Sequence, residues 1–389
     1  MDGKKQKVFI TLNVLTLRRC KLVNETLLFT PGPVNVPFYF RDKKFPKMVL
    51  YIENQLKKAV GCKDGRAVLY TCSGTGALDA VATNLLSDKD KVLVIVGGGF
   101  GKRWYDICKF YDKNVIPFYV PFGKDINMQE LEDTISSNNI NVILSQHHET
   151  NSGQLHNVEA IGNIARRYNA LFIVDAISSF LTDKFYMDKW NIGGCIISTQ
   201  KGMRLDPGVA FLILNNRLIE HSKTVKKLNY YNNLDTYLSD YCLTRGHTPF
   251  TPPVNLVFDI WKFFWLSDVS VLNRIRAQKQ LAERFRQALK ELRLPLVMVS
   301  ETPSNFLTAL MIVNDKYSAV DLYNHLKKKN MFVSKVGQAH SPFMIDAEKR
   351  LFLVSHIGCD WTEHQKLLNE MRLFFDKRNK NKSSNRLNF

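Results

Sequence analysis

With 389 residues, 45% of them hydrophobic and 11% aromatic, the chain carries enough apolar material for a full-sized core and more than one domain. Its formal charge of +18 raises the question of nucleic acid, but the lysines and arginines are spread along the chain and concentrate only at its two ends. The charge therefore reads as background, with a preference for anionic small molecules. Seven cysteines, an odd number without CxxC or Cys/His ligand spacing, argue against a disulfide framework and for a reducing cytoplasm.

The chain opens with MDGKKQKVFITLNVLTLRRC, a basic stretch followed by an apolar run from Val8 to Leu17. Asn13 interrupts that run and no small-residue cleavage site follows it. Residues 1–25 are therefore expected to be an N-terminal arm or an upstream start artefact, not a secretion signal. No other segment approaches the unbroken apolar length of a membrane helix.

From about Val68 to Leu214 one grammar repeats: a short apolar run, a turn, an amphipathic stretch. AVLYTCSG, KVLVIVGGG, VILSQHHE, LFIVDAISS, CIISTQK and VAFLIL are strand candidates, with helical patterns such as TGALDAVATNLL and NVEAIGNIARRYNA between them. Strands alternating with helices predict an α/β fold with a mostly parallel sheet covered on both faces. Ligands of such sheets collect at the carboxyl ends of the strands. Ser73, His148, Glu149, Thr150, Asp175 and Lys201 all stand there. After HTPFTPPVN (His247 to Asn255) a long helical region gives way to NFLTALMIV, AVDLYNHLKKK, MFVSKV, RLFLVSHIG and TEHQKLLNEMRLFF, the pattern of a smaller α+β domain. The expected division is a large domain over 26–255, a small one over 256–376, and a basic, disordered tail over 377–389.

Three features carry chemistry. CSGTGALDA places Ser73, Gly74 and Thr75 where a strand opens into a helix, so backbone N–H groups and two hydroxyls make a phosphate site; the alternative is an ordinary helix N-cap. Asp175 ends the most apolar strand, where a buried carboxylate needs a partner such as a protonated pyridine nitrogen; the alternative is a cap on the next turn. Lys201 lies between two buried strands, where a desolvated lysine suits Schiff-base chemistry; the alternative is a lysine reaching solvent at the sheet edge. In this order and at these strand ends, the three together describe pyridoxal phosphate.

On these motifs, with FTPGPVNVP, GGGFGKRW, HHETNSG, STQKG and PFTPPVN, the sequence from about Leu28 to Phe375 resembles the class V, fold-type I pyridoxal-phosphate aminotransferases. It is similar to the branch that acts on 2-aminoethylphosphonate and pyruvate, alanine and glyoxylate, or serine and pyruvate. The resemblance implies a large domain with a mostly parallel seven-stranded sheet, Lys201 as the Schiff-base lysine, and Asp175 on the pyridine nitrogen. Ser73, Gly74, Thr75 and Gln200 would hold the phosphate, Phe100 would stack on the ring, and Thr150 would touch the ring or its hydroxyl. Thr251 would reach the phosphate of a neighbouring subunit, which implies a homodimer with shared active sites. Gly32 and Leu353 would lie at the substrate. Relatives carry a carboxylate-clamping arginine in a pattern like RIGxxG, whereas FLVSHIG puts Leu353 at that position. Either Arg204, Arg245 or Lys335 replaces it, or the amine lacks an α-carboxylate; His356 is a further contributor, the alternative being a structural histidine at a strand end.

The expected activity is a ping-pong transamination from a small amine, 2-aminoethylphosphonate-like or a small amino acid, to a keto acid or aldehyde, without nucleic acid, membrane or metal. Decarboxylation or β-elimination on the same cofactor is the alternative enzyme reading. A non-catalytic basic binding protein is the rival outside enzymes.

Overall fold

The computed structural model describes residues 44–266, 270–335 and 349–383. The proposed N-terminal arm, the FTPGPVNVP motif and Gly32 lie outside the described residues. In chain order the first part comprises α1 (Lys44–Val60), β1 (Gly65–Tyr70), α2 (Gly74–Asn84), β2 (Val92–Val96), α3 (Gly99–Phe110), β3 (Val115–Tyr119), α4 (Met128–Asn138), β4 (Val142–Gln146), β5 (His148–Glu149), β6 (Gln154–Leu155), α5 (Val158–Arg167), β7 (Leu171–Asp175), β8 (Gly194–Ser198), β9 (Ala210–Asn215), α6 (Asn216–Lys223), α7 (Leu234–Tyr237) and α8 (Asp240–Leu243). The remainder comprises α9 (Val254–Trp265), α10 (Val271–Glu291), β10 (Leu296–Met298), β11 (Leu307–Ile312), α11 (Ala319–Lys327), β12 (Ser334–Lys335), β13 (Leu351–Ser355) and α12 (Trp361–Ser383).

The seven-stranded sheet has the order β1-β9-β8-β7-β4-β2-β3. Its central strands are buried along their whole length, which explains why they read as continuous apolar runs. The pleat divides them between two cores. Val92, Val94 and Val96 join Leu144, Ile173 and Ile196 on one face, and Leu93 and Ile95 join Ile143, Val174 and Ile197 on the other. The sheet is parallel except at β9, which pairs antiparallel with both β8 and β1. The chain between β8 and β9 is too short for a crossover helix, so it folds back as a turn, and Lys201 sits in that turn. Gly202 follows because a Cβ there would stand 2.0 Å from the Phe180 carbonyl oxygen.

β10, β11, β13 and β12 form a second, four-stranded sheet in that order. Alternation in β11 and β13 again assigns two faces. Leu310, Ile312, Phe352 and Val354 pack against α10, α11 and α12 through Phe285, Leu322, Leu326 and Met371. Leu307, Ala309 and Leu353 face the other way, with Phe306. On the helical face a polar chain is buried. His364 Nδ1 donates to the Asp360 carbonyl at 2.7 Å, so His364 Nε2 accepts from His356 Nδ1 at 3.0 Å, and His356 Nε2 accepts from the Thr308 hydroxyl at 2.8 Å. Arg286 Nε in turn donates to Thr308 at 3.1 Å. Every donor in this relay is matched when both imidazoles are neutral, and burial, with the nearby Arg286 charge, holds His356 well below its usual pKa. α12 opens on a reciprocal cap between Asp360 and Glu363. It continues to Ser383.

The two sheets meet at Asp183, a buried carboxylate that accepts from the hydroxyls of Ser304 at 2.6 Å and Thr182 at 2.8 Å and from the backbone and side-chain N–H of Asn305 at 3.0 and 2.9 Å. Among the described residues no helix is long and apolar enough to cross a membrane.

Candidate active site

The carboxyl ends of β1, β2, β4, β7 and β8 lie along one edge of the large sheet, and the loops leaving them enclose a cavity of about 200 Å³. Its walls include Ser73, Gly74, Thr75, Phe100, Thr150, Asp175, Gln200 and Lys201, residues that stand far apart in the sequence. They meet because each follows a strand on the same edge.

Lys201 is desolvated by its surroundings, which lowers its pKa; Asp175 opposes that shift and Arg103 adds to it. Its Nζ lies 5.5 Å from the centre of the Phe306 ring, which belongs to the apolar face of the second sheet. Asp175 accepts the backbone N–H of Ile177 at 2.8 Å. Burial nevertheless pushes its carboxyl up to about 7, and Glu149 contributes in the same direction. A carboxylate in that condition is stabilised by any cation brought against it.

Ser73 occupies the N-cap of α2, yet its side chain makes no capping hydrogen bond. The bland reading of this serine, a hydroxyl occupied by the helix backbone, is therefore not what the geometry shows. The side-chain oxygen of Gln200 is likewise buried without a partner. The N-terminus of α3 is treated differently: Glu149 takes the N–H groups of Phe100 and Gly101, each at 3.1 Å. That buried carboxylate fixes the start of α3 and with it the placing of Phe100. Thr150 shares a hydrogen bond of 3.1 Å with Ser178, whose hydroxyl is 2.9 Å from His148 Nδ1.

Thr251 is exposed and does not line this cavity. Leu353 also lies outside it, 8% exposed in the apolar cluster with Phe306, Leu307 and Ala309. None of the three cations considered as replacements lines the cavity either. Arg204 is exposed, Arg245 pairs with Asp240 at 3.8 Å, and Lys335 lies over Tyr323. His356 points into the polar chain on the helical face, so its role is structural. Sequence reasoning missed Arg103, Ile177 and Ser178, which line the cavity. Arg103 stands three residues after Phe100 on α3, a spacing that puts both on one helical face.

Residues 34–358 match the family described as aminotransferase class-V. An uncharacterized aminotransferase of Methanocaldococcus jannaschii is 28% identical over 350 residues, covering 85% of this chain and 88% of that protein. The bifunctional phosphonoacetaldehyde hydrolase/aminoethylphosphonate transaminase of Clostridioides difficile is 26% identical over 334 residues, 81% of this chain and 52% of the relative. Among solved structures, an alanine–glyoxylate aminotransferase from Nostoc sp. superposes with a TM-score of 0.79 at 21% identity, covering 92% of this chain and 98% of the other. The match over most of the chain, with the shared fold, means that this protein belongs to the class V aminotransferases, pyridoxal-phosphate-dependent enzymes of fold type I.

Proposed function

We propose that the enzyme moves an amino group from a small amine donor to a keto acid or aldehyde in a ping-pong cycle, with Lys201 as its Schiff-base lysine. The observation that carries this reading is the convergence of Lys201, Asp175 and the start of α2 on one cavity. The residues present fit the cofactor. The uncapped hydroxyl of Ser73 at the start of α2 suits a phosphate, and the burial-raised carboxyl of Asp175 suits a pyridinium. Pyridoxal phosphate supplies an electron sink that acidifies the donor's reacting carbon.

The chain's own contributions follow from their surroundings. Asp175 holds the proton on the ring nitrogen by charge. Lys201, its pKa lowered by desolvation, would hold the cofactor's aldehyde carbon as a Schiff base, and its Nζ, once free, would hold and move the proton of the transfer. Phe100, fixed through Glu149, covers one side of the cavity. Thr251, exposed outside its own chain's cavity, is suited to reach the phosphate site of a second copy, which supports a homodimer with shared sites. Free cysteines at 62, 72, 108, 195, 242 and 359 suit a cytoplasmic protein.

Among donors, 2-aminoethylphosphonate and its like come first, then small amino acids; the name of the Clostridioides difficile relative and the basic chain support that order. The test is to titrate 2-aminoethylphosphonate, alanine, serine and glutamate separately into the cofactor-loaded protein, without acceptor, and follow its visible absorbance. Conversion to the absorbance of the aminated cofactor by one donor identifies the donor class. Release of carbon dioxide or a β-substituent instead would replace transamination by a lyase outcome.

A further inference from the structure

Arg103 is a cation on the wall of the candidate site with no carboxylate bound to it among the described residues. Its guanidinium lies 4.9 Å over the centre of the Phe100 ring and, among the described residues, makes one hydrogen bond, from Nη1 to the Thr75 hydroxyl at 3.3 Å. Arg103 also borders a neighbouring hollow that holds Asp79 and Asp106. Those acids are engaged elsewhere: Asp79 accepts from the Tyr111 hydroxyl at 2.9 Å, and Asp106 pairs with Lys102 at 2.5 Å. Most of the guanidinium's donors are thus uncommitted among the described residues.

The charges around the cavity give this a purpose. Lys201 has a lowered pKa and forms the covalent bond, and Asp175 answers the pyridine nitrogen. Ser73, Thr75 and Gln200 are neutral, and the start of α2 offers about half a charge. A phosphate dianion held among them calls for a cation whose charge does not change during the reaction. A guanidinium meets that requirement because it does not deprotonate in a protein.

We infer that Arg103 is the charge-bearing ligand of the cofactor's phosphate, oriented by the Thr75 hydroxyl and by stacking on Phe100. This rests on placing the cofactor in this cavity as proposed above. The contact with Thr75, at the beginning of α2, assigns Arg103 to the phosphate and not to an anionic group of the substrate.

The test uses the full-length protein stripped of cofactor and calorimetric titration with pyridoxamine 5′-phosphate and with pyridoxamine. Both carry an amine in place of the aldehyde, so neither bonds covalently to Lys201. Arg103→Gln is expected to weaken the phosphorylated compound about tenfold or more, as loss of a charge-assisted bond implies, while pyridoxamine stays within about twofold. Arg103→Lys, which keeps the charge without the fork, falls between. Equal losses for both compounds would make Arg103 a packing residue and overturn the inference, as would no loss for either. A loss seen only when an anionic donor is titrated into loaded protein, with pyridoxamine phosphate affinity intact, would assign Arg103 to the substrate and also overturn it. Failure of the wild type to bind pyridoxamine phosphate would remove the proposed cofactor site itself, an outcome separate from all of these.

Discussion

Replacing Asp175 by Asn should stabilise the cofactor-free protein, by an amount that grows as the pH rises from about 4 to neutrality and then stays. Burial lifts the Asp175 carboxyl from 3.8 to about 7. In the unfolded chain the proton leaves near the ordinary value; in the folded chain it stays until near neutrality. Between those values the native state binds more protons, so rising pH costs stability, and above them the full cost persists. A rise of that size corresponds to about 4 kcal/mol. The neutral amide of the Asp175→Asn variant carries no such cost, and its oxygen can still accept the N–H of Ile177. Denaturant titrations of cofactor-free wild type and Asp175→Asn at about pH 4.5 and about pH 8 should therefore show the variant's advantage growing by about 3 kcal/mol between the two. The same variant should lose cofactor affinity, because a neutral amide does not answer a pyridinium. An advantage that is equal at both pH values would refute the claim that a buried, uncompensated carboxylate sits there.

Lys201→Ala should still bind pyridoxal phosphate but lose the visible absorbance of the lysine-linked cofactor and lose turnover; full transamination by this variant would contradict the assignment. Leu353→Arg places a guanidinium in the apolar cluster of Phe306, Leu307 and Ala309 and should cost about 3 kcal/mol in denaturant titrations. Unchanged stability would mean that position 353 opens onto the substrate. Burial lowers His147 to about 3 and His156 to about 4. Since the unfolded chain takes up those protons near the ordinary value of 6.5, stability should be full above it and fall as the pH drops towards the folded-state values. The contribution of His156 is on the order of 3 kcal/mol. In His156→Gln that acid slope should become shallower, and an unaltered slope would show that His156 is not held neutral.

The parts of the site that are legible in the sequence are those where function and burial coincide. Lys201 and Asp175 stand out because a charged residue at the end of an apolar strand has few structural excuses. The strands β2, β4, β7 and β8 are legible for the same reason: burial on both faces leaves no polar alternation to confuse the pattern. β3 does not stand out as an apolar run. It is an edge strand, only Phe118 of its residues is buried, and Pro117 interrupts it. Arg103 is hidden in a different way. An arginine on a helix usually indicates a solvated face, and only the fold turns this one towards Thr75. His356 follows Leu353 closely in sequence, but alternation along β13 sends the two residues to opposite faces, in keeping with the structural role that a histidine at a strand end more often has.

That alternation has a consequence for how the enzyme can change. Along β13, Leu353 belongs to the layer that backs the Lys201 side chain, whereas Phe352, Val354 and His356 belong to the layer that holds the second sheet to its helices. The layer behind the candidate site and the layer that holds the second sheet to its helices thus alternate along one strand. Point substitution at position 353 alters the first layer without exchanging it for the second. A one-residue insertion or deletion between Leu351 and His356 would exchange the layers, carrying an imidazole into the apolar cluster and stranding Arg286 and Thr308 opposite hydrocarbon. Divergence in this strand should accordingly proceed by replacement at fixed length.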